Sequence, residues 1–276
     1  MNKLKNSKLK VRRTFLKKGT WSRTFCYILN REFGNPKENE EQAIDPLAGG
    51  IYQQGYQCGM LWGASMALGT ESFRRRDDQG EAIAMAITAS QHIVDSFLGS
   101  SKSIECEEIT NANFNSKLSL AKYMITGKMF GCFNLAARWA PNAIKEAHNG
   151  LAIELSNNAS ESKSCASEVI KKMGGTEEEA VMVAGFAGGL GLSGNGCGAL
   201  GAAIWKKTLG MVKKGEWKYT TSHSVMDEIV EKFYEVSDYE MKCSKICGKQ
   251  FKTIDEHAKY INSGGCEKII EVLGQS

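Results

Sequence analysis

A glycine-rich approach to one cysteine, followed at once by small residues, is written twice in this chain. Residues 187–210 read AGGLGLSGNGCGALGAAIWKKTLG, and residues 48–69 read AGGIYQQGYQCGMLWGASMALG. Gly49, Gly50, Cys58 and Gly59 stand 139 positions before Gly188, Gly189, Cys197 and Gly198, and the same offset carries Cys26 onto Cys165. Self-similarity of this kind marks a tandem duplication, in which neighbouring copies of one unit share a core. The cysteines are the feature that both copies keep.

The rest of the chain follows the same double grammar. Trp21 to Phe33 is predicted as a helix containing Cys26, with Ser162 to Met173 as its counterpart. The serines there suit a helix N-cap and put Cys165 in the first turn, where free amides and the helix dipole favour a thiolate. Thr176 followed by Glu179 forms a capping box for a helix over Glu177 to Phe186. Helices of about three turns are expected after Cys58 and Cys197, their faces lined by Gly63, Ala64 and Ala67 or by Ala199, Ala202 and Ala203. Apolar spacing then predicts amphipathic helices over Glu81 to Phe97 and Ser224 to Val236. Cys106 to Phe114 matches Cys243 to Phe251, and Cys132 and Cys266 each open a closing helix.

Only three prolines interrupt the 276 residues, and no segment sustains period-two alternation. The predicted fold is therefore all-α, two tandem pseudo-symmetric helical repeats packed as one body. The expected organisation is a flexible basic tail over residues 1–19, a first repeat over 20–155 and a second over 156–276, joined near the polar stretch SNNASES.

The formal net charge of +4 belongs to the tail, because residues 1–18 carry eight Lys or Arg and no acid. The remaining body is mildly acidic, which suits a protein partner and argues against nucleic acid. Nine cysteines in a chain with no apolar leader read as thiols or metal ligands in the cytoplasm. A twin-arginine-like run, Val11 to Lys17, is followed by polar and charged residues where export needs an apolar stretch.

Four cysteines per repeat, Cys26, Cys58, Cys106 and Cys132 and then Cys165, Cys197, Cys243 and Cys266, equal the thiolate count of a four-ligand iron–sulfur or zinc site. The ligands would come from separate helix ends. Gly49, Gly50, Gly59, Gly188, Gly189 and Gly198 would bring bare amides close to a bound group and tune it. Cys247 has Thr110 at the matching position and reads as a spare thiol. His92, His148, His223 and His257 do not recur between copies and read as ordinary core or surface residues.

Each repeat resembles the C-GCAxxG-C-C family of redox-active proteins, named for these four cysteines. Gly196-Cys197-Gly198-Ala199-Leu200-Gly201 is similar to its central motif. Cys165 stands as the leading cysteine, and Cys243 and Cys266 as the last two. Gly198 and Gly59 replace the family's alanine, and Gln57 its leading glycine. The resemblance implies a redox role with an iron–sulfur cluster and a redox partner protein, as an electron carrier or oxidoreductase component. A metal-free thiol–disulfide protein and a structural zinc scaffold stay open, as does a homo-oligomer.

Two competing motifs fall away. Gly189 to Gly194 matches GxGxxG, but no strand precedes it and the first copy breaks the pattern. The uncharged stretch Ala180 to Trp205 is long enough to span a bilayer, yet Ser193 to Gly196 interrupt it, so a buried helix–loop–helix is expected instead. No CxxCH occurs to attach haem.

Overall fold

A computed structural model describes residues 2–114, 116–220 and 222–276. The chain begins with α1 (Asn2–Lys18). Seven helices then form the first repeat: α2 (Trp21–Glu32), α3 (Glu38–Ala43), α4 (Gly59–Arg75), α5 (Gln79–Ser100), α6 (Cys106–Thr110), α7 (Lys117–Ile125) and α8 (Met129–Leu151). Seven follow in the same order in the second: α9 (Cys165–Lys172), α10 (Glu177–Met182), α11 (Gly198–Lys213), α12 (Ser224–Val236), α13 (Cys243–Ile246), α14 (Ile254–Asn262) and α15 (Glu267–Gly274). Among the described residues no strand forms, so the predicted all-α duplication is what the chain adopts. No helix there is long and apolar enough to cross a membrane.

The glycine stretches do more than bring backbone close. Five successive residues have positive φ in each copy, Gly49 to Gln53 and Gly188 to Leu192. Each run is a single left-handed turn. For non-glycine residues this conformation costs roughly 1–2 kcal/mol apiece, so Ile51, Tyr52 and Gln53 are held there against their preference. The holding groups are backbone hydrogen bonds at matching places, Gly55 N–H to Gly49 O at 3.0 Å and Gly194 N–H to Gly188 O at 2.9 Å. A Cβ on Gly50 or Gly189 would strike the backbone of Tyr56 or Asn195, so these two positions admit only glycine.

After the turn the chain runs through a short antiparallel clip. Cys58 N–H donates to Ile104 O at 2.7 Å and Cys106 N–H to Tyr56 O at 2.6 Å. Cys197 N–H donates to Met241 O at 2.9 Å and Cys243 N–H to Asn195 O at 2.7 Å. The clip fixes the second and third cysteines of each repeat side by side, although 48 and 46 residues separate them in sequence.

The long helices leaving the clips exchange neighbours. α4 packs on α2 and α5 but also on α10, while α11 packs on α9 and also on α3. Equivalent positions meet where the copies face each other. The fully buried Trp62 ring covers Gly201, Gln57 Nε2 donates to Gly196 O at 3.0 Å, and Lys242 Nζ pairs with Glu105 at 2.7 Å. Each pair sets a large or charged residue of one copy against the matching residue of the other. Divergence has made the duplicated surfaces complementary.

Two expectations about helix length need correction. α4 and α11 run 17 and 16 residues, between four and five turns rather than three, and within α4 Gly69 lies where the helix crosses the backbone of Met182. The helix predicted to Phe186 stops at Met182 and continues as a 3₁₀ turn over Ala184–Phe186. The basic segment carries α1. Its buried Val11 and its Phe15, one turn apart, give it an apolar face, and Phe15 stacks on Trp21 at 4.1 Å.

Candidate functional site

The cysteines gather into two unequal groups, each closed within its own repeat. In the second repeat Cys165, Cys197, Cys243, Cys247 and Cys266 line one small cavity of about 10 Å³, with Phe251, His257 and Tyr260. Four of the five stand at helix N-termini. Cys165 and Cys243 are first residues of α9 and α13, and Cys197 and Cys266 cap α11 and α15. Residues at a helix N-terminus have free backbone N–H groups nearby, and two of these four sulfurs receive them. The N–H groups of Gly188 and Ala166 reach the Cys165 sulfur, and those of Leu200 and Ala199 reach Cys197.

Cys247, read from sequence as the spare, sits between the others. Its sulfur lies 3.9 Å from Cys243 and 3.7 Å from Cys266. Hydrogen bonds from those two thiols and from Tyr260 hold Cys247 well below an ordinary thiol pKa, while sharing a site with it drives Cys243 and Cys266 up. Burial pushes Cys165 to about 12 and Cys197 to about 11, against the pull of their N–H donors. Within the group, Cys247 is the sulfur whose surroundings most favour a negative charge.

In the first repeat Cys58, Cys106 and Cys132 line a cavity of about 170 Å³ together with Trp21, Phe114, Tyr123 and Met129. The three thiols sense one another's charge, and burial raises all three, Cys58 to about 12. Tyr123 hydroxyl lies 3.2 Å from the Cys132 sulfur.

Cys26 does not join them. It is fully buried in the middle of α2, where Asn30 Nδ2 donates to its sulfur at 3.6 Å and the charges acting on it are Glu41, Arg31, Glu40 and Arg23. The constant offset misled here because α2 is 12 residues long and α9 only 8, one turn shorter. The caps give the true register: Thr20 and Ser164 each accept from the backbone three residues on. Trp21 therefore holds the place of Cys165. Cys132 is also out of step with Cys266, lying one turn inside α8 while Cys266 precedes α15. Met129 takes the Cys266 position.

Of the glycines expected to line a bound group, Gly49 and Gly59 border the first cavity, Gly198 borders the second, and Gly188 reaches Cys165 through its N–H. Gly50 and Gly189 serve the left-handed turn. Sequence reasoning missed three site residues. His257 borders the second cavity, buried, with Nδ1 donating to Lys163 O at 3.2 Å. Tyr123 and Tyr260 occupy matching places in α7 and α14, each against a matching phenylalanine, with Phe114–Tyr123 centroids 5.2 Å apart and Phe251–Tyr260 5.1 Å. Their signal was in the duplication itself, as LAKYMITG and HAKYINSG.

The donor chemistry of both groups suits a thiolate-ligated redox group: soft sulfur ligands, backbone N–H donors and aromatic walls that exclude water. Among the described residues no three His, Cys, Asp or Glu side chains are arranged to hold a single metal ion. The thiols line a volume instead of converging on a point. The family model described as "Putative redox-active protein (C_GCAxxG_C_C)" matches residues 22–143 and again residues 161–275. No curated protein and no solved structure matches the chain.

Proposed function

The chain belongs to the C_GCAxxG_C_C family of redox-active proteins, and from that premise we propose that it carries electrons on iron–sulfur groups held by its two cysteine sets. In the second repeat the ligands are Cys165, Cys197, Cys243 and Cys266, with Cys247 beside them. In the first they are Cys58, Cys106 and Cys132. The observation that supports the reading most is the gathering of five cysteine sulfurs around one cavity in the second repeat, four of them on residues at helix N-termini, where free backbone N–H groups are available to ligand sulfurs. An iron–sulfur group supplies one-electron redox chemistry when bound. The chain's own part is to place the thiolates, donate N–H groups to the sulfurs, and exclude water through Phe251, Tyr260 and the first repeat's aromatic wall. The mildly acidic body suits a redox partner protein, and unpaired thiols in this number suit the cytoplasm.

Anaerobically purified protein is expected to contain iron and acid-labile sulfide and to show visible absorption that dithionite bleaches. Colourless, iron-free protein would overturn the reading. One observation favours a second reading, thiol–disulfide exchange without metal: Cys247, whose pKa its neighbours lower, lies within 4 Å of two other sulfurs. Two of these thiols would give up two electrons and two protons to a partner disulfide and become joined. Iron-free protein yielding a Cys243–Cys247 or Cys247–Cys266 disulfide on treatment with oxidised glutathione would select it.

A further inference from the structure

The closing helix pairs of the two repeats differ in what they show to solvent. In α7 the exposed Leu118, Ala121, Lys122 and Ile125 share one helix face, and exposed Phe130 follows at the start of α8. Leu118 and Ile125 are each 85% exposed and Phe130 66%. The matching residues of α14 and α15 are Asp255, Asn262 and Glu267, so the scaffold has no need of apolar side chains at these places. Tyr123 leaves α7 on the buried side, its hydroxyl 3.2 Å from the Cys132 sulfur, and the exposed stripe therefore backs onto the first thiol group. Charge differs between the copies as well. Residues 109–145 hold five Lys or Arg and no acid, whereas the matching stretch 246–276 holds four of each sign. Residues 1–31 hold ten Lys or Arg and no acid. Their helix α1 lies along α8, with Arg12 donating to Asn134 at 2.8 Å and the Phe15 and Phe133 rings 4.8 Å apart, one turn from Phe130. It adds exposed Arg13, Leu16 and Lys17.

We propose that this face of the first repeat docks on an anionic lipid bilayer, which no described helix is long and apolar enough to cross. Leu118, Ile125 and Phe130 enter the headgroup layer, and Lys122, Arg13 and Lys17 meet the lipid phosphates. Exposed aliphatic side chains interspersed with cations fit lipid. A nucleic acid calls for the cations alone, and a second copy would set cations against cations. Nothing in this docking depends on what the thiols hold. Its consequence is that the first thiol group faces the membrane, with only α7 between them.

The test is co-sedimentation of the full chain with vesicles of phosphatidylcholine alone and of phosphatidylcholine mixed with phosphatidylglycerol. Binding is expected to the mixed vesicles only, and it should weaken as salt is raised. The triple variant Leu118→Asp/Ile125→Asn/Phe130→Glu installs residues that the second repeat already carries. It should lose about tenfold or more in vesicle affinity while its circular dichroism stays that of the wild type. Arg13→Gln/Lys17→Gln, which leaves the apolar stripe intact, should flatten the salt dependence. Wild-type protein that ignores the mixed vesicles or binds both kinds equally would overturn the proposal, as would full affinity in the triple variant. Capture by polyglutamate without vesicle binding would give the face to an acidic protein instead. Dimers that the triple variant loses, again without vesicle binding, would give it to a second copy.

Discussion

The two cysteine sites share a clip, a left-handed turn and a tyrosine, yet they differ in sulfur count, volume and surroundings. The second repeat spends five cysteines on a space no larger than one water, with four of them at helix N-termini. The first has three cysteines around an open aromatic chamber, walled by a tryptophan that α1 holds in place. Even the outer surfaces diverge, with exposed Leu118 and Phe130 on the first repeat where Asp255 and Glu267 stand on the second. One scaffold thus carries a tightly closed group of sulfurs and an open one lined by aromatic rings. Scaffold geometry is what duplication preserved, and ligand identity is what it left free to change.

The sharpest break in this pairing is at the contact between copies. Trp62→Ala, which empties the space over Gly201, should cost about 3–5 kcal/mol of stability by denaturant unfolding. A cost below about 1 kcal/mol would mean that the copies do not depend on one another.

Asp45 offers a difference that pH can read, since the second repeat has Ala184 in its place. Burial raises its carboxyl to about 6 from 3.8, outweighing the Thr20 hydroxyl, which donates at 2.6 Å, and Arg23 at 3.6 Å. The folded protein then holds the extra proton, so this contribution is fully present below about pH 4 and is lost as pH rises through about 6. The span is about 3 kcal/mol. Asp45→Asn should remove that fall from the stability–pH curve, and an unchanged curve would contradict the assignment.

The left-handed turns test what the copies share. Gly50→Ala and Gly189→Ala should each destabilise by roughly 2 kcal/mol or more, from positive φ plus collision with Tyr56 or Asn195. Tolerance at one position only would show that the turns are not equivalent.

The smallest energetic effect belongs to Cys247. Cys247→Ser should change stability by less than about 1 kcal/mol, because Thr110 fills the same place in the first repeat. In metal-free protein, however, Cys247 should be alkylated by iodoacetamide before the buried cysteines and still react at pH 6, since its neighbours lower its pKa. Peptide mapping by mass spectrometry reads the order directly.

Much of this was legible in the sequence, and the failures have physical causes. The duplication, the all-α class and the Thr176–Glu179 capping box follow from short local patterns and their repetition, whereas the clip that sets Cys58 beside Cys106 and Cys197 beside Cys243 joins segments far apart in sequence and left no local sign. The pairing of Cys26 with Cys165 was arithmetic, and an extra helical turn in α2 defeats a constant offset. The N-caps Thr20 and Ser164 carry the better register, because a cap marks a place in space and a count does not. Cys247 was set aside for lacking a counterpart, although asymmetry is where duplicated sites acquire separate roles. The left-handed turn was hidden because Ile51, Tyr52 and Gln53 have no preference for it; the long-range clip and the loop's hydrogen bonds impose it.

Iron content across paired cysteine variants, purified anaerobically, tests the central claim most directly. Cys58→Ala and Cys197→Ala should each lower iron per chain by removing one of two centres, Cys26→Ala should leave it unchanged, and the double variant Cys58→Ala/Cys197→Ala should hold none. Equal iron in all four proteins, or loss of iron on changing Cys26 alone, would contradict the assignment of two separate thiolate centres that exclude Cys26.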